Sequence, residues 1–367
     1  MGRDKKLIVI TAINFADGGP LSILKDCLRY VAENLSERFE IVALVHNKEL
    51  FNIPNVHFKE FPYAKRSWLI RLYYEWFYFN KLSARLKPFL WLSLHDITPR
   101  VNAERSAVYC HNPSPFYDIS FKEVWLDPVF LLFNKLYSFL YRINIHNNDW
   151  VIVQQEWLRQ EFKARYSPKE IIVAHPELIW DEQSGSDRGN GRAKKTFLFP
   201  TYPRVFKNID LIGEAACLLE DAGYKNYEIK ITIDGSENRY AKDIVHRFSA
   251  NSSIKFIGIQ SREQVFKLYE EADCLIFPSK LETWGMPISE YKLLGKPVLV
   301  ADLPYAHETV GQYDKVMFFP PTDASQLANY MMRLIDGKLQ FDSHDAIVPP
   351  QPFAHNWKSL FEILLQK

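Results

Sequence analysis

Residues 277–301 read FPSKLETWGMPISEYKLLGKPVLVA and hold two glutamates eight positions apart. Glu282 stands ahead of a Trp-Gly-Met-Pro turn, and Glu290 follows it on a short apolar-periodic stretch closed by Gly295 and Pro297. A helix starting near Met286 presents free backbone N–H groups and the positive end of its dipole at that turn, a place for an anion. Gly285 lets a ligand approach the backbone closely, and Pro287 suits the first helical turn. Carboxylates repel phosphate, so Glu282 and Glu290 on either side of such an anion call for hydroxyl partners. A sugar joined through a diphosphate to a nucleoside offers hydroxyls, anion and hydroxyls in that order. The same spacing also suits two solvated glutamates near a helix start, where acids are common.

These residues must be carried by a scaffold, and the chain announces one. Leu7-Ile-Val-Ile-Thr11 is a continuous apolar, β-branched run, as in a parallel strand buried on both faces. A Gly-Pro turn and a helical pattern at Leu21, Leu24, Leu28 and Val31 follow, which together make the opening strand–turn–helix unit of a doubly wound sheet. Residues 40–45, 107–110 and 150–153 are further strand candidates in this half. Residues 181–195, DEQSGSDRGNGRAKK, have no side chain larger than Ala that is apolar and read as an exposed connector. Beyond it strands at 196–200, 228–233, 254–257, 274–277 and 298–301 alternate with helices at 208–222, 239–249, 262–271 and 286–294. Such alternation predicts a second parallel sheet with helices on both faces. The expected organisation is α/β: a Rossmann-like domain over 1–180, a linker over 181–195, a second Rossmann-like domain over 196–345, and a C-terminal helical segment, 346–367, that packs back on the first domain.

Composition narrows the function. With 367 residues, 47% hydrophobic and 24% charged, the chain reads as a soluble two-domain protein. Its net charge of +1 provides no field for nucleic acid. Cys27, Cys110, Cys217 and Cys274 are scattered, with no CxxC, which suits reduced thiols in the cytoplasm. The N-terminal apolar run is too short for a secretory signal, and no apolar stretch is long enough to span a membrane. A dinucleotide enzyme is disfavoured, because no GxGxxG follows a strand; the lone GxG, Gly189-Asn-Gly191, lies in the connector. GxxxxGK[ST] and DxD are missing too, so no aspartate pair is set to hold a metal–diphosphate. A bound nucleotide must therefore be neutralised by cationic side chains and helix ends.

The full run FPSKLETWGMPISEYKLLGKPVLVADLPYAHETV resembles the signature of the family 4 retaining glycosyltransferases, which have the GT-B fold. Pro278, Ser279, Glu282, Trp284, Gly285, Pro287, Glu290, Gly295, Pro297, Val298 and Glu308 fall on its pattern. The resemblance implies that Glu282 contacts donor-sugar hydroxyls and that Glu290 holds the ribose hydroxyls, with Gly285 and Met286 lining the nucleotide-sugar site. It implies further that Arg204 and Lys207, in FLFPTYPRVFKNID, neutralise the donor diphosphate, with Asn208 capping the next helix. The spacing here differs from the family's usual Gly-Arg and longer interval. Asp234-Gly235 matches a loop beside the nucleotide, and Gly18-Gly19 matches a glycine pair whose backbone approaches the diphosphate. His111, in AVYCHNPSPFYD, stands where the family often has a histidine near the transferred sugar, in a context resembling a bacterial polysaccharide-assembly subgroup. His95-Asp96 is a second polar pair, ranked below it and on the acceptor side. No cofactor or metal is implied. The donor is a GDP- or UDP-sugar, with GDP-mannose the first expectation, and base choice rests on backbone near Gly258. The implied route is a same-face displacement in which the departing phosphate takes the acceptor's proton.

On the acceptor side, residues 65–105 carry eight Lys/Arg against three Asp/Glu. Residues 65–87, KRSWLIRLYYEWFYFNKLSARLK, interleave cations with Trp, Tyr and Phe, as at an anionic bilayer surface. The aromatic-rich run 130–143 could join them. A core helix with snorkelling cations gives the same pattern. The expected acceptor is a glycan, polyprenyl-diphosphate-linked, on the cytoplasmic face of an inner membrane. Two other readings stay open: a non-catalytic sugar-nucleotide-binding or scaffold protein, and a nucleotide-sugar 2-epimerase, whose usual C-terminal arrangement differs from the run quoted.

Overall fold

The computed structural model describes residues 5–177 and 194–366. The connector expected at 181–195 therefore lies outside the described residues except for its last two, Lys194 and Lys195. The described chain forms two parallel sheets. One has eight strands: β1 (Lys6–Ala12), β2 (Phe39–Val45), β3 (His57–Glu60), β4 (Leu90–Ser93), β5 (Arg105–Tyr109), β6 (Trp150–Val153), β7 (Ile171–Ala174) and, from the far end of the chain, β14 (Phe353–Ala354). Their order is β14-β7-β6-β5-β4-β1-β2-β3. The other sheet has six: β8 (Lys195–Phe199), β9 (Tyr227–Ile231), β10 (Ile254–Phe256), β11 (Cys274–Phe277), β12 (Val298–Ala301) and β13 (Val316–Phe319), ordered β10-β9-β8-β11-β12-β13.

Alternation along β1 explains its unbroken apolar run. Ile8, Ile10 and Ala12 face a layer containing Leu24, Leu28 and Val31 of helix Gly18–Asn34, while Val9 and Ile13 face Phe79, Leu82 and Trp91. A strand covered on both sides has no position for a polar residue except at its end, where Thr11 lies buried. The C-terminal helix Trp357–Leu365 completes the first of these layers with Trp357, Leu360, Phe361 and Leu364. Each such buried side chain is worth roughly 1.5–3 kcal/mol, so this helix is part of the core.

Among the described residues the two sheets define two compact units, the first comprising residues 5–115, 135–177 and 349–366 and the second 116–134 and 194–348. Residues 116–134 thus depart from the expected boundary: they come from the first half of the chain but belong with the second sheet. They form helix Phe121–Leu126 and the start of helix Pro128–Leu140. Their place is set by partners distant in sequence, described below. The helix expected at 286–294 ends at Lys292, after seven residues. Gly295 then adopts φ 64° and turns the chain toward β12. Among the described residues no helix is long and apolar enough to cross a membrane.

Candidate functional site

In the six-stranded sheet the order reverses direction at β8, which has β9 on one side and β11 on the other. In open parallel sheets ligands bind beyond the carboxyl ends of the strands at such a reversal. The segments leaving β8 and β11 carry the expected residues. After β8 comes a single 3₁₀ turn, Val205–Lys207, with Arg204 at its start. After β11 comes the loop holding Glu282, then the helix Met286–Lys292 with Glu290.

Lys207 and Glu282 meet directly: Nζ stands 2.5 Å from Oε1, and both side chains are more than four-fifths buried. The loop beneath Glu282 is fixed from several directions. The Lys280 N–H donates to the Phe206 carbonyl at 2.7 Å, Tyr305 donates to the Ser279 carbonyl at 2.7 Å, and Thr309 donates to the Trp284 carbonyl. Asn208 sits at the start of helix Ile209–Asp221, but its side chain does not cap it. It is left-handed, φ 56°, and its amide donates to the carbonyls of Pro278 and Pro321 at 3.2 and 2.9 Å. The capping role expected for Asn208 is therefore replaced by a bridge between the loops after β11 and β13. Gly285 has φ 89°, and a Cβ there would meet Ile288 and Phe277 at 3.3 and 3.5 Å. Both the backbone and the space require glycine at this turn.

Arg204 does not reach Glu282. Its NH1 nitrogen lies 3.1 and 3.3 Å from the two carboxylate oxygens of Asp127. Glu290 accepts a hydrogen bond from Tyr269 at 2.9 Å and has Arg262 3.7 Å away. Burial raises the Glu290 carboxyl above its ordinary range, opposed by those two neighbours. Asp234 and Gly235 form a tight turn after β9, held by Ser236 and Glu237. The hydrogen bonds from Ser236 lower the Asp234 carboxyl. Gly258, after β10, abuts it: a Cβ there would stand 3.2 Å from Asp234 Oδ2. Sequence reasoning missed Asp127, Tyr269 and Arg262. Tyr269 reads as core on a helical stripe, and nothing local links Asp127 to an arginine 77 positions away.

The remaining expected residues belong to the eight-stranded unit. Gly18 and Gly19 open helix Gly18–Asn34, both exposed, with Gly18 at φ 66°. His111 follows β5, its ring edge-on to Tyr109 at 4.3 Å and to Phe15 at 6.0 Å. Burial lowers the His111 imidazole, and the Asp96 carboxylate opposes this. Asp96, left-handed at φ 68°, pins the turn by accepting from the His111 and Asn112 N–H groups at 2.6 and 3.0 Å and from the Tyr141 hydroxyl at 2.9 Å. His95 is fully buried and far from being a ligand group in solvent. Its Nδ1 faces the Arg71 guanidinium at 3.1 Å, so Nδ1 accepts and Nε2 carries the proton toward Thr11 at 2.8 Å, with a Glu75 oxygen 3.2 Å from the same nitrogen but not hydrogen-bonded to it. Burial pushes the Glu75 carboxyl up to about 8, opposed by the Arg71 charge, and lowers His95. His95 therefore serves as an internal strut, and Asp96 as the anchor of the His111 turn.

Residues 185–347, just under half of the chain, match the family model described as Glycosyl transferases group 1. A curated relative, the D-inositol 3-phosphate glycosyltransferase of Corynebacterium aurimucosum, is 23% identical over 209 residues, covering 52% of this chain and 50% of that protein. The chain thus spans about half the length of that relative. Among solved structures, sucrose-phosphate synthase from Thermosynechococcus elongatus superposes with a TM-score of 0.64 at 14% identity, covering 91% of this chain and 90% of its own. HepE from Anabaena, solved in complex with UDP and glucose, gives 0.61 at 14% identity, covering 91% of each. The two doubly wound parallel sheets accordingly have the GT-B architecture of solved glycosyltransferases, and the portion with the Lys207–Glu282 pair carries the glycosyl transferases group 1 pattern.

Proposed function

We propose that this protein is a retaining, metal-independent glycosyltransferase that moves a hexose from a nucleotide sugar to a glycan hydroxyl. The observation that carries this reading is the Lys207–Glu282 contact at the strand-order reversal of the second sheet. An ammonium group there can meet a departing phosphate, while the adjoining carboxylate takes up hydroxyls of the transferred sugar. Arg204 adds a second cation on the same turn, and this reading gives Glu290 the ribose hydroxyls and the Asp234–Gly258 corner the base. The family resemblance assigns donor contacts to Gly18, Gly19 and His111 as well. With cations on the leaving group, charge that develops as the glycosidic bond breaks is offset without a Lewis acid. The departing phosphate oxygen accepts the proton of the acceptor hydroxyl on the same face of the sugar.

The family 4 signature in residues 277–310 supports the retaining outcome, and the same resemblance favours GDP-mannose over UDP-hexoses as donor. The expected result is release of nucleoside diphosphate from one of these donors, undiminished by EDTA, with the anomeric configuration of the product unchanged. A strict requirement for a divalent cation, or an inverted product, would overturn the reading.

The acceptor is a lipid-linked glycan of surface polysaccharide synthesis, met at an anionic membrane surface. Support comes from residues 59–87. Leu69, Tyr73 and Phe77, spaced by four, are 78%, 54% and 60% exposed, and Lys59, Lys65, Arg66, Lys81, Arg85 and Lys87 are exposed around them. Rings and cations in this pattern suit lipid headgroups. Co-sedimentation with vesicles containing anionic lipid should fall several-fold when Leu69, Tyr73 and Phe77 are changed to serine. Equal binding of the triple variant would remove this surface from the proposal.

A further inference from the structure

Residues 116–134 cross over the turn that carries both candidate cations, and their contacts are not those of a passive linker. Phe206, between Arg204 and Lys207, is packed between Phe130 and Tyr117, with ring centroids 4.9 and 6.3 Å away. Glu123 lies 3.9 Å from Lys280, whose backbone holds the Phe206 carbonyl. Arg239 donates to the Trp125 carbonyl at 3.0 Å and lies 5.1 Å from the centre of its ring. At the centre Asp127, 5% exposed, places both carboxylate oxygens against the one guanidinium nitrogen of Arg204. The same carboxylate caps the next helix by accepting from the Phe130 N–H at 3.0 Å. It therefore has a structural duty that keeps it in place whether or not Arg204 is engaged elsewhere.

We propose that residues 116–134 form a strap over the donor site and that Asp127 is an internal competitor for the diphosphate. This rests on the reading above, in which Arg204 meets donor phosphate. A carboxylate and a phosphate on one guanidinium repel each other, so seating the diphosphate requires Arg204 to leave Asp127. Once that contact parts, the strap loses its tie to the guanidinium at the centre of the turn. Donor binding and closure of residues 120–131 over the turn are thereby linked, and each opposes the other by the same factor.

Titration of GDP and of UDP, each alone, into the full-length protein by calorimetry tests this. Asp127→Asn keeps the oxygen that caps the helix and removes the charge. It should tighten binding of the nucleotide by about tenfold, while Arg204→Ala should weaken it at least as much. If Arg204→Ala weakens binding and a natively folded Asp127→Asn does not tighten it, the competition is wrong and the donor site stands. If Arg204→Ala leaves binding unchanged, both fall. Hydrogen exchange on the unaltered protein gives an independent readout that needs no variant. Amides in 120–131 should exchange several-fold faster when nucleotide is bound, and unchanged or slower exchange would overturn the proposal.

Discussion

Lys207→Ala should lower the rate of sugar transfer by about 10²-fold or more, equivalent to at least about 2.7 kcal/mol of lost transition-state stabilisation. Two effects add in this variant. The leaving phosphate loses the ammonium group that meets its developing charge, and Glu282 loses the partner that holds it 2.5 Å away in a mostly buried position. An uncompensated buried carboxylate is costly and will turn toward water or take a proton. Lys207→Arg separates the two effects, since it retains the charge and a donor for Glu282. It should recover activity to within about tenfold of the unaltered protein, with the remainder reflecting guanidinium geometry. Steady-state kinetics on the identified donor decides the matter. An unchanged turnover number in Lys207→Ala would exclude this residue from the departure of the phosphate.

The second large effect separates the two glutamates that frame the Trp-Gly-Met-Pro turn. Glu282→Ala should lower turnover by about 10²-fold with KM within a few-fold, because its sugar contacts strengthen as the bond breaks. Glu290→Ala should instead weaken nucleotide binding by roughly 10–100-fold, the worth of one or two hydrogen bonds to a charged group. Glu290 is suited to this standing role. Tyr269 and Arg262 hold its two oxygens in a buried setting, so it is in place before any ligand arrives. Measured kcat and KM for both variants provide the test, and equal losses of affinity would contradict the division of labour. Because Lys207 and Glu282 act as a pair, the double alanine variant should be little worse than the poorer single one.

Much of this site could be read from the chain before any coordinates. The second half alternates short apolar runs with amphipathic stretches so regularly that β8 through β12 were expected within a residue or two of their observed bounds. The glycines and prolines around Glu282 mark the turn between β11 and its helix. What could not be read is of three kinds. Five strands are absent from the sequence reading: β3 is an exposed edge reading HFKE, β4 hides between a basic-aromatic helix and a polar loop, β14 has only two residues, and β7 (IIVA) and β13 (VMFF) were overlooked although they carry the usual apolar run. Pairings between distant positions were missed as well. Arg204 with Asp127 and Glu290 with Tyr269 depend on which elements become neighbours, which local pattern does not encode. Finally, His95 reads as an acceptor-side candidate in the sequence, yet the fold buries it completely among Thr11, Arg71 and Glu75.

The eight-stranded sheet carries one more consequence. Its outer strand β14 and the helix Trp357–Leu365 come from the last residues of the described chain, while β1 to β7 all precede residue 175. Synthesis on the ribosome runs from one end to the other. The first half of the protein therefore emerges with the free edge of β7 and the apolar face of helix Gly18–Asn34 lacking their final cover, and must wait through the making of an entire second sheet before that cover arrives.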